Sequence, residues 1–97
     1  MKREKIKDEL RRAAKILVYD LNLKKSSIRE NFDYESTDIE FKGKYLNRDC
    51  LYFLGYSGVS MDYYYAGYSY PRNQGSNVNN YSSIGEAMSV IRLWASE

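Results

Sequence analysis

The apolar residues of this 97-residue chain recur at helical spacing near both ends and alternate with charged residues in between. A change of period from about 3.6 to about 2 along one short chain restricts the fold to one that combines helices with a sheet. The sequence therefore predicts an amphipathic helix at each end. The residues at helical spacing are Ile6, Leu10, Ala13, Ala14, Leu17 and Leu21 in segment 2–22, and Ile84, Ala87, Met88, Ile91 and Trp94 in segment 83–96.

Three strands are predicted between the two helices. In TDIEFKGKYL, Ile39, Phe41 and Tyr45 alternate with charged residues, which is typical of a strand with one buried face. The segment CLYFLGYS at 50–57 and a segment within 59–70 predict two more strands, and the short turns between them favour antiparallel pairing. We therefore expect a single small α+β domain: a helix, a three-stranded antiparallel meander and a second helix, with both helices on one face of the sheet.

Capping patterns help to divide this domain, which we expect to cover residues 1–97. SIRE at 27–30 and SIGE at 83–86 both have the form of a capping box, so each predicts the start of a helix. The expected parts are a basic helical segment (1–32), a three-stranded sheet (37–70), a polar loop with the only proline (71–82) and a C-terminal helix (83–96).

The composition argues against most catalytic chemistry. The chain has no histidine and only one cysteine, Cys50. This excludes histidine-activated nucleophiles and tetrahedral zinc sites, and no glycine-rich phosphate loop is present. We therefore expect no enzymatic activity, no cofactor and no metal site. The catalytic alternative is a histidine-free ribonuclease, because the size is similar to that of small bacterial ribonuclease toxins of the RelE type, although that fold opens with a strand.

The lone cysteine and the hydropathy pattern favour a cytoplasmic protein. Cys50 has no intramolecular disulfide partner, and a small domain without disulfides is typical of a reducing compartment. No apolar run approaches the length of a membrane span, and charges continue through Lys15, where a signal peptide would have its apolar core. We expect no contact with the membrane.

Tyrosine is concentrated in the second half of the chain. Between Gly55 and Ser83, 21 of 29 residues are Tyr, Ser, Gly or Asn, which is the mixture that antibody paratopes use for binding. Two interpretations remain open. The rings form an exposed contact surface, or they only pack, since tyrosine is favoured in strands and can cap a small core.

The predicted contact residues follow from strand alternation. If Leu51 and Phe53 face the helices, then Tyr52 and Tyr56 lie on the open side of the sheet. One tyrosine set of the third strand joins them there, and the alternation leaves open whether it is the even-numbered or the odd-numbered set. The predicted partner-binding residues are Tyr52, Tyr56, Tyr64, Tyr68, Arg72 and Asn73, with Tyr63 and Tyr65 as the alternatives to Tyr64 and Tyr68.

The charge distribution supplies a second hypothesis. Residues 1–29 carry ten Lys/Arg and four Asp/Glu, whereas residues 30–97 carry five and nine. A basic first segment can attract nucleic acid, although a solvated amphipathic helix has the same pattern. The candidate nucleic-acid contacts are Lys2, Arg3, Lys5, Arg11, Arg12 and Lys15.

In size and overall sequence profile the chain resembles small phage and mobile-element proteins that block a host enzyme or defence complex, including anti-CRISPR proteins. No shared motif carries this resemblance. It implies a non-catalytic inhibitor that binds a host protein. We take this as the predicted function, with nucleic-acid binding and ribonuclease activity as the alternatives. Homodimerisation through the sheet edge or the tyrosine face is a further prediction.

Overall fold

A computed structural model describes residues 2–33, 37–58 and 62–97 of the chain as two α-helices and one five-stranded sheet. Every strand pairs antiparallel with its sequence neighbours, so the strand order is β1-β2-β3-β4-β5. Short 3-10 turns at Lys25–Ser27 and Pro71–Asn73 precede β1 and β5. The elements are α1 (Lys2–Asp20), β1 (Arg29–Phe32), β2 (Thr37–Tyr45), β3 (Arg48–Ser57), β4 (Tyr63–Ser69), β5 (Ser76–Tyr81) and α2 (Ile84–Ala95).

The α+β class and both terminal helices are confirmed. The apolar stripe of each helix is buried, as its spacing predicts. At the start of α2, the Ser83 hydroxyl accepts a hydrogen bond from the amide of Glu86 at 3.2 Å, so the predicted capping pattern works as a helix start. The helix residues in the core are Ile6, Leu10, Ala13, Ala14, Leu17, Val18, Ala87, Ile91 and Trp94.

The prediction of a three-stranded meander is wrong at both edges. The first added strand is β1, which lies in the segment 1–32 that was predicted to be helical and which pairs with residues 37–40 of β2. The SIRE pattern does not cap a helix, because the Ser27 hydroxyl accepts from the amide of Lys42 on β2 at 3.1 Å and donates to the carbonyl of Lys24 at 2.7 Å. Ser27 therefore fastens the chain to the edge of β2.

The second added strand is β5, which lies in the predicted polar loop 71–82. Its residues pair with β4 from Tyr64↔Tyr81 to Ser69↔Ser76. All but the last of its six residues are exposed. A strand that is exposed on both faces has no alternation of apolar and polar residues, which is why the sequence pattern indicated a loop.

Both helices pack on one face of the sheet, as predicted, but β3 presents the opposite set of side chains to them. Directly opposed residues share a face, and the register pairs Ile39 with Leu54 and Phe41 with Tyr52. Tyr52 and Leu54 are fully buried, so the prediction that Leu51 and Phe53 face the helices is wrong.

The turn between β2 and β3 explains this register. Leu46 and Asn47 both have positive φ values, 51° and 64°, and form a two-residue connection of the kind that joins adjacent antiparallel strands. With Tyr45 paired to Arg48, each odd-numbered residue of β2 lies opposite an even-numbered residue of β3. The turn thereby places Tyr52 and Tyr56 on the helix-covered face.

Candidate interaction surface

The four tyrosines that were predicted to lie on the open face lie on the helix-covered face. Tyr52 is fully buried and donates a hydrogen bond to the carbonyl of Lys44. Its neighbour on β4, Tyr68, packs edge-on against Trp94 of α2 with ring centroids 5.1 Å apart. The orientation predicted for these two rings is therefore wrong, because both rings pack in the core.

Tyr56 and Tyr64 oppose each other at the other end of the same face, with ring centroids 5.3 Å apart. The Tyr64 hydroxyl donates to the carboxylate of Glu9 on α1, and the Tyr56 hydroxyl donates to Asp62 at 2.6 Å. Both side chains are half-buried, with the rings against the core and the hydroxyls at its margin. Tyr64 therefore fastens the sheet to α1, and neither ring belongs to an open platform.

Burial also determines the protonation state of these groups. It is the main cause of the raised pKa values of Tyr52 and Tyr64, and Glu9 raises that of Tyr64 further. Burial raises the pKa of the Cys50 thiol to about 11, although its hydrogen bond with Tyr52 acts in the opposite direction. The phenols and the thiol are therefore protonated at neutral pH and are poor nucleophiles.

Arg72 and Asn73, the other predicted contacts, lie in the connection between β4 and β5. Both are exposed and have positive φ values, 60° and 56°. This connection follows Ser69, so it lies at the opposite end of β4 from Tyr63. The structure does not place these two residues beside the odd-numbered tyrosines.

The uncovered face of the sheet presents Phe53, Tyr63, Tyr65 and Val78, which we call the platform. Phe53 on β3 lies opposite Gly67, which in turn lies opposite Val78 on β5, so these positions form one row across the sheet. Val78 is 55% exposed, and the three rings are half-exposed. Tyr63 and Tyr65 were predicted from the sequence as alternative contacts, whereas Phe53 and Val78 were not predicted.

Two glycines make room for the rings of the platform. A Cβ atom at Gly55 would lie 2.2 Å from the ring of Tyr65, and one at Gly67 would lie 2.3 Å from the ring of Phe53. Gly55 lies directly opposite Tyr65, and Gly67 directly opposite Phe53. Each ring therefore leans over the glycine of the neighbouring strand. This contact offsets the loss of strand stability that glycine causes.

Hydrogen bonds hold the platform in place. The Tyr65 hydroxyl donates to Asp38 at 2.9 Å, and the Asn31 amide donates to the other oxygen of the same carboxylate at 3.0 Å. Burial, followed by the charge of Asp38, raises the pKa of Tyr65, so this phenol remains a donor. Phe53 meets Tyr65 edge-on with ring centroids 6.4 Å apart. The two rings are thus ordered before any partner arrives.

The charges beside the platform are mixed. Arg29 lies 3.7 Å from Glu40, so this pair is largely compensated. Lys42 and Lys44 are exposed strand residues, and neither takes part in an ion pair among the described residues. The platform therefore has a weakly basic margin on the β2 side.

The edge strand β5 borders the platform and carries no charged residue from Ser76 to Tyr81. Natural sheets usually protect their edges with charges, proline or a short strand. The opposite edge, β1, is only four residues long and includes Arg29 and Glu30. Homodimerisation through the uncharged edge stays a prediction.

The basic residues of α1 are partly engaged within the chain. Arg11 binds Asp8 at 2.9 Å and Glu30 at 3.1 Å, and Arg3 donates to the backbone carbonyl of Asp33. Two of the six predicted nucleic-acid contacts are therefore committed to intramolecular bonds.

Three other predicted cations, Lys5, Arg12 and Lys15, are exposed and take no part in the ion pairs of the described residues. The side chain of Lys2 lies outside the described part. Tyr19, which the sequence analysis did not select, is 85% exposed near the end of the same helix.

Comparison with protein-family models finds no match to this chain, and neither curated proteins nor solved structures give one. Among the helices in the described parts of the chain, none is long and apolar enough to cross a membrane. The geometry of the sheet and its surfaces is therefore the basis for the functional inference.

Proposed function

We propose that the chain is a non-catalytic protein-interaction module, of the kind that inhibits a host enzyme or defence complex in the cytoplasm. The platform is the contact surface. The observation that carries the proposal is that two aromatic rings on an uncovered sheet face, Phe53 and Tyr65, each lean over a glycine of the neighbouring strand and meet each other edge-on.

The order of these rings supports binding. Binding to a mobile side chain restricts its motion, and this loss of conformational entropy reduces affinity. Here the Tyr65 ring is already fixed by Gly55 beneath it and Asp38 at its hydroxyl. Tyrosine and phenylalanine are also the residue types that supply much contact area in interface centres.

The composition of the surrounding surface indicates the chemistry of the partner. The platform is apolar at its centre, and Asn80 and Ser69 provide amide and hydroxyl groups beside it on the same face. Lys42 and Lys44 are the cations that remain uncompensated on the β2 side. The expected partner is a protein surface with exposed apolar side chains and carboxylates at one margin.

The experiment compares two double variants, one altered on the platform and the other altered on the helix side of the molecule. Tyr63→Ala with Val78→Glu alters the platform, whereas Tyr19→Ala with Leu93→Glu alters the helix side, where both residues are more than half exposed. Each tagged variant and the unchanged chain are incubated with nuclease-treated lysate from the native host, and the retained proteins are quantified by mass spectrometry.

The expected result is a specific protein whose retention falls about tenfold with the platform variant, corresponding to ~1.4 kcal/mol of binding free energy, and stays unchanged with the helix-side variant. Equal retention by all three chains, or loss only with the helix-side variant, would contradict the proposal. Circular dichroism spectra of both variants exclude unfolding as the cause.

Nucleic-acid binding is the second candidate, favoured by Lys5, Arg12 and Lys15, which take part in no ion pair among the described residues and lie on the same helix as the exposed ring of Tyr19. Aromatic stacking and phosphate neutralisation by lysine and arginine are the usual elements of single-strand binding. Titration of a fluorescent oligonucleotide at increasing salt tests it, since counterion release gives a steep fall in affinity. Affinity that does not change with salt would eliminate this candidate.

A further inference from the structure

A cavity of about 750 Å³ opens at the end of the sheet nearest the β2–β3 turn, away from the platform centre. Three parts of the chain meet there: the connection after α1 at 21–24, the end of α2 at Ala95, and the turn that begins at Tyr70. A volume of this size is typical of small-molecule sites, which range from about 300 to 1,000 Å³.

Small residues account for the open space. Gly43, Cys50, Ser69 and Ala95 line the cavity where larger side chains would fill it. Gly43 has a specific reason to be glycine, because a Cβ atom there would lie 2.6 Å from the ring of Tyr52.

The walls of the cavity are mainly apolar. Leu21 and Leu23, both half-buried, line it together with Tyr70 and the fully buried Tyr52, whereas Leu51, also among the lining residues, has its side chain on the other face of the sheet. The Tyr52 hydroxyl is already satisfied by the carbonyl of Lys44, so it does not demand a polar ligand. A hydrocarbon body would gain by leaving water for these walls.

The residues that line the cavity carry a net positive charge. Lys24, Lys42 and Lys44 line the cavity, and the single carboxylate among the lining residues is Asp49. None of the ion pairs within the described residues involves any of the three lysines. All three are exposed. β1 pairs with β2 only as far as Glu40, so the long stems of Lys42 and Lys44 can turn from the open face around this edge toward the mouth, where Lys24 lies.

A second cavity continues this positive surface. It shares Asn22 and Leu23 with the first, and its lining adds Lys15 and Lys25 without any carboxylate. The potential at the shared mouth is therefore positive, which attracts an anion and disfavours a cation of equal shape.

We propose that this cavity binds an amphiphilic anion, with an alkyl body against the leucines and tyrosines and a carboxylate or phosphate headgroup at Lys24, Lys42 and Lys44. The apolar walls exclude a fully polar anion, and the lysines disfavour an uncharged lipid. The site shares Lys42 and Lys44 with the margin of the platform, but none of the platform residues lines it, so the proposal does not depend on whether the platform binds a protein.

Calorimetric titration with decanoate, decyl phosphate and decanol, each below its aggregation concentration and at low salt, tests the proposal. The unchanged chain is expected to bind the two anions saturably and one-to-one, and to bind decanol at least about tenfold more weakly. Decanoate and decyl phosphate distinguish the two headgroups. No saturable heat up to about 1 mM ligand, the weak end of specific binding, or equal binding of decanol and decanoate would overturn the proposal.

Matched variants locate the site. Lys24→Gln with Lys42→Gln is expected to weaken decanoate binding about tenfold or more. Lys24→Arg with Lys42→Arg should restore most of it, because the charge is kept. Lys5→Gln with Arg12→Gln removes the same charge from α1 outside the cavity and should leave binding unchanged. An equal loss in this control would show that only net charge matters and would overturn the assignment.

A cavity-filling variant gives a second readout. Ala95→Phe, at a half-exposed position near the C-terminus, should abolish binding of both anions without a change in charge. Undiminished binding by the folded variant would contradict the location. The lysine variants change exposed side chains only, so they decide the question even if Ala95→Phe does not fold.

Discussion

On the helix-covered face of the sheet the aromatic rings are enclosed by large side chains of the core, whereas on the open face Phe53 and Tyr65 lean over glycines and no helix covers them. Tyr52 lies against Phe41 with ring centroids 6.0 Å apart, and Tyr68 lies against Trp94. Phe53 and Tyr65, one strand position away, lie over Gly67 and Gly55. Neighbouring residues in the same strands therefore have different structural roles.

This difference shows why a count of tyrosines does not by itself indicate a binding surface. On the covered face the ring fills the core and the hydroxyl finds a partner at its margin, such as Lys44 for Tyr52 or Glu9 for Tyr64. On the open face the rings lean over glycines and no helix covers them, so part of each ring faces solvent. Only the second arrangement leaves aromatic area for a partner.

The largest contrast between the faces is expected in stability. Tyr52→Ala removes a fully buried ring and should lower the free energy of unfolding by about 4 kcal/mol. Tyr63→Ala, on the open face, should cost less than ~1 kcal/mol. Urea denaturation of both variants measures the two values, and similar losses would mean that the platform is part of the core.

The glycines of the platform give the next largest effect. In Gly67→Ala the new methyl would lie 2.3 Å from the ring of Phe53 and 2.3 Å from the backbone oxygen of Asn77, so we expect a loss of about 2 kcal/mol. The control is Gly85→Ala in α2, where the nearest atom would be 3.9 Å away. That variant should gain about 0.5 kcal/mol by reducing the entropy of the unfolded chain. A neutral Gly67→Ala would show that Phe53 does not lie over this glycine.

At alkaline pH the folded state should lose stability first through ionisation of the buried Cys50 thiol. The folded-state pKa of Cys50 is raised from 9.0 to about 11, so its contribution is fully present below pH 9 and is lost as pH rises toward 11. Tyr52, Tyr64 and Tyr65 have folded-state pKa values raised above 10.0, so their contributions decline from pH 10 upward.

Unfolding free energies measured from pH 7 to pH 11 test this order. We expect a constant value up to about pH 9 and a continuous fall above it. Cys50→Ala should delay the start of the fall to about pH 10, the ordinary pKa of tyrosine. Stability that rises with pH in this range would contradict the raised pKa values.

The smallest expected effect concerns the hydroxyl that orders the platform. Tyr65→Phe removes the 2.9 Å hydrogen bond to Asp38 and should cost about 1 kcal/mol. Tyr63→Phe is the matched control, since no hydrogen bond of its hydroxyl is found among the described residues, and it should be neutral. Thermal unfolding of the pair measures the difference, and equal melting temperatures would argue that the Asp38 contact does not order the ring.

The sequence was sufficient for the helices and for the three central strands, because their apolar periods are strong. It was not sufficient for β1 and β5. Ser27 occurs in a helix-capping pattern but is used at the edge of β2, and the residues of β5 are polar on both faces. In both cases the deciding partner lies on another strand, which a local pattern does not contain.

The face of Tyr52 and Tyr56 was predicted wrongly because of one step of register. The pattern IxF in β2 and the pattern LxF in β3 look alike, yet Ile39 and Phe41 are buried while Leu51 and Phe53 face outward. A two-residue turn at Leu46–Asn47 reverses the parity between the strands. Counting residues across that turn would have placed Tyr52 and Tyr56 on the covered face, whereas the choice between the two tyrosine sets of β4 depends on the register of β3 with β4.

Hydroxyl-radical footprinting of the free chain and of its complex with the retained host protein tests the central claim most directly, since it compares both sides of the molecule in one sample. The account predicts that binding protects Phe53, Tyr63 and Val78, while Tyr19 and Leu93, both exposed on the helices, stay reactive. Protection of Tyr19 and Leu93 with an unchanged platform would contradict it and would place the contact surface on the helices.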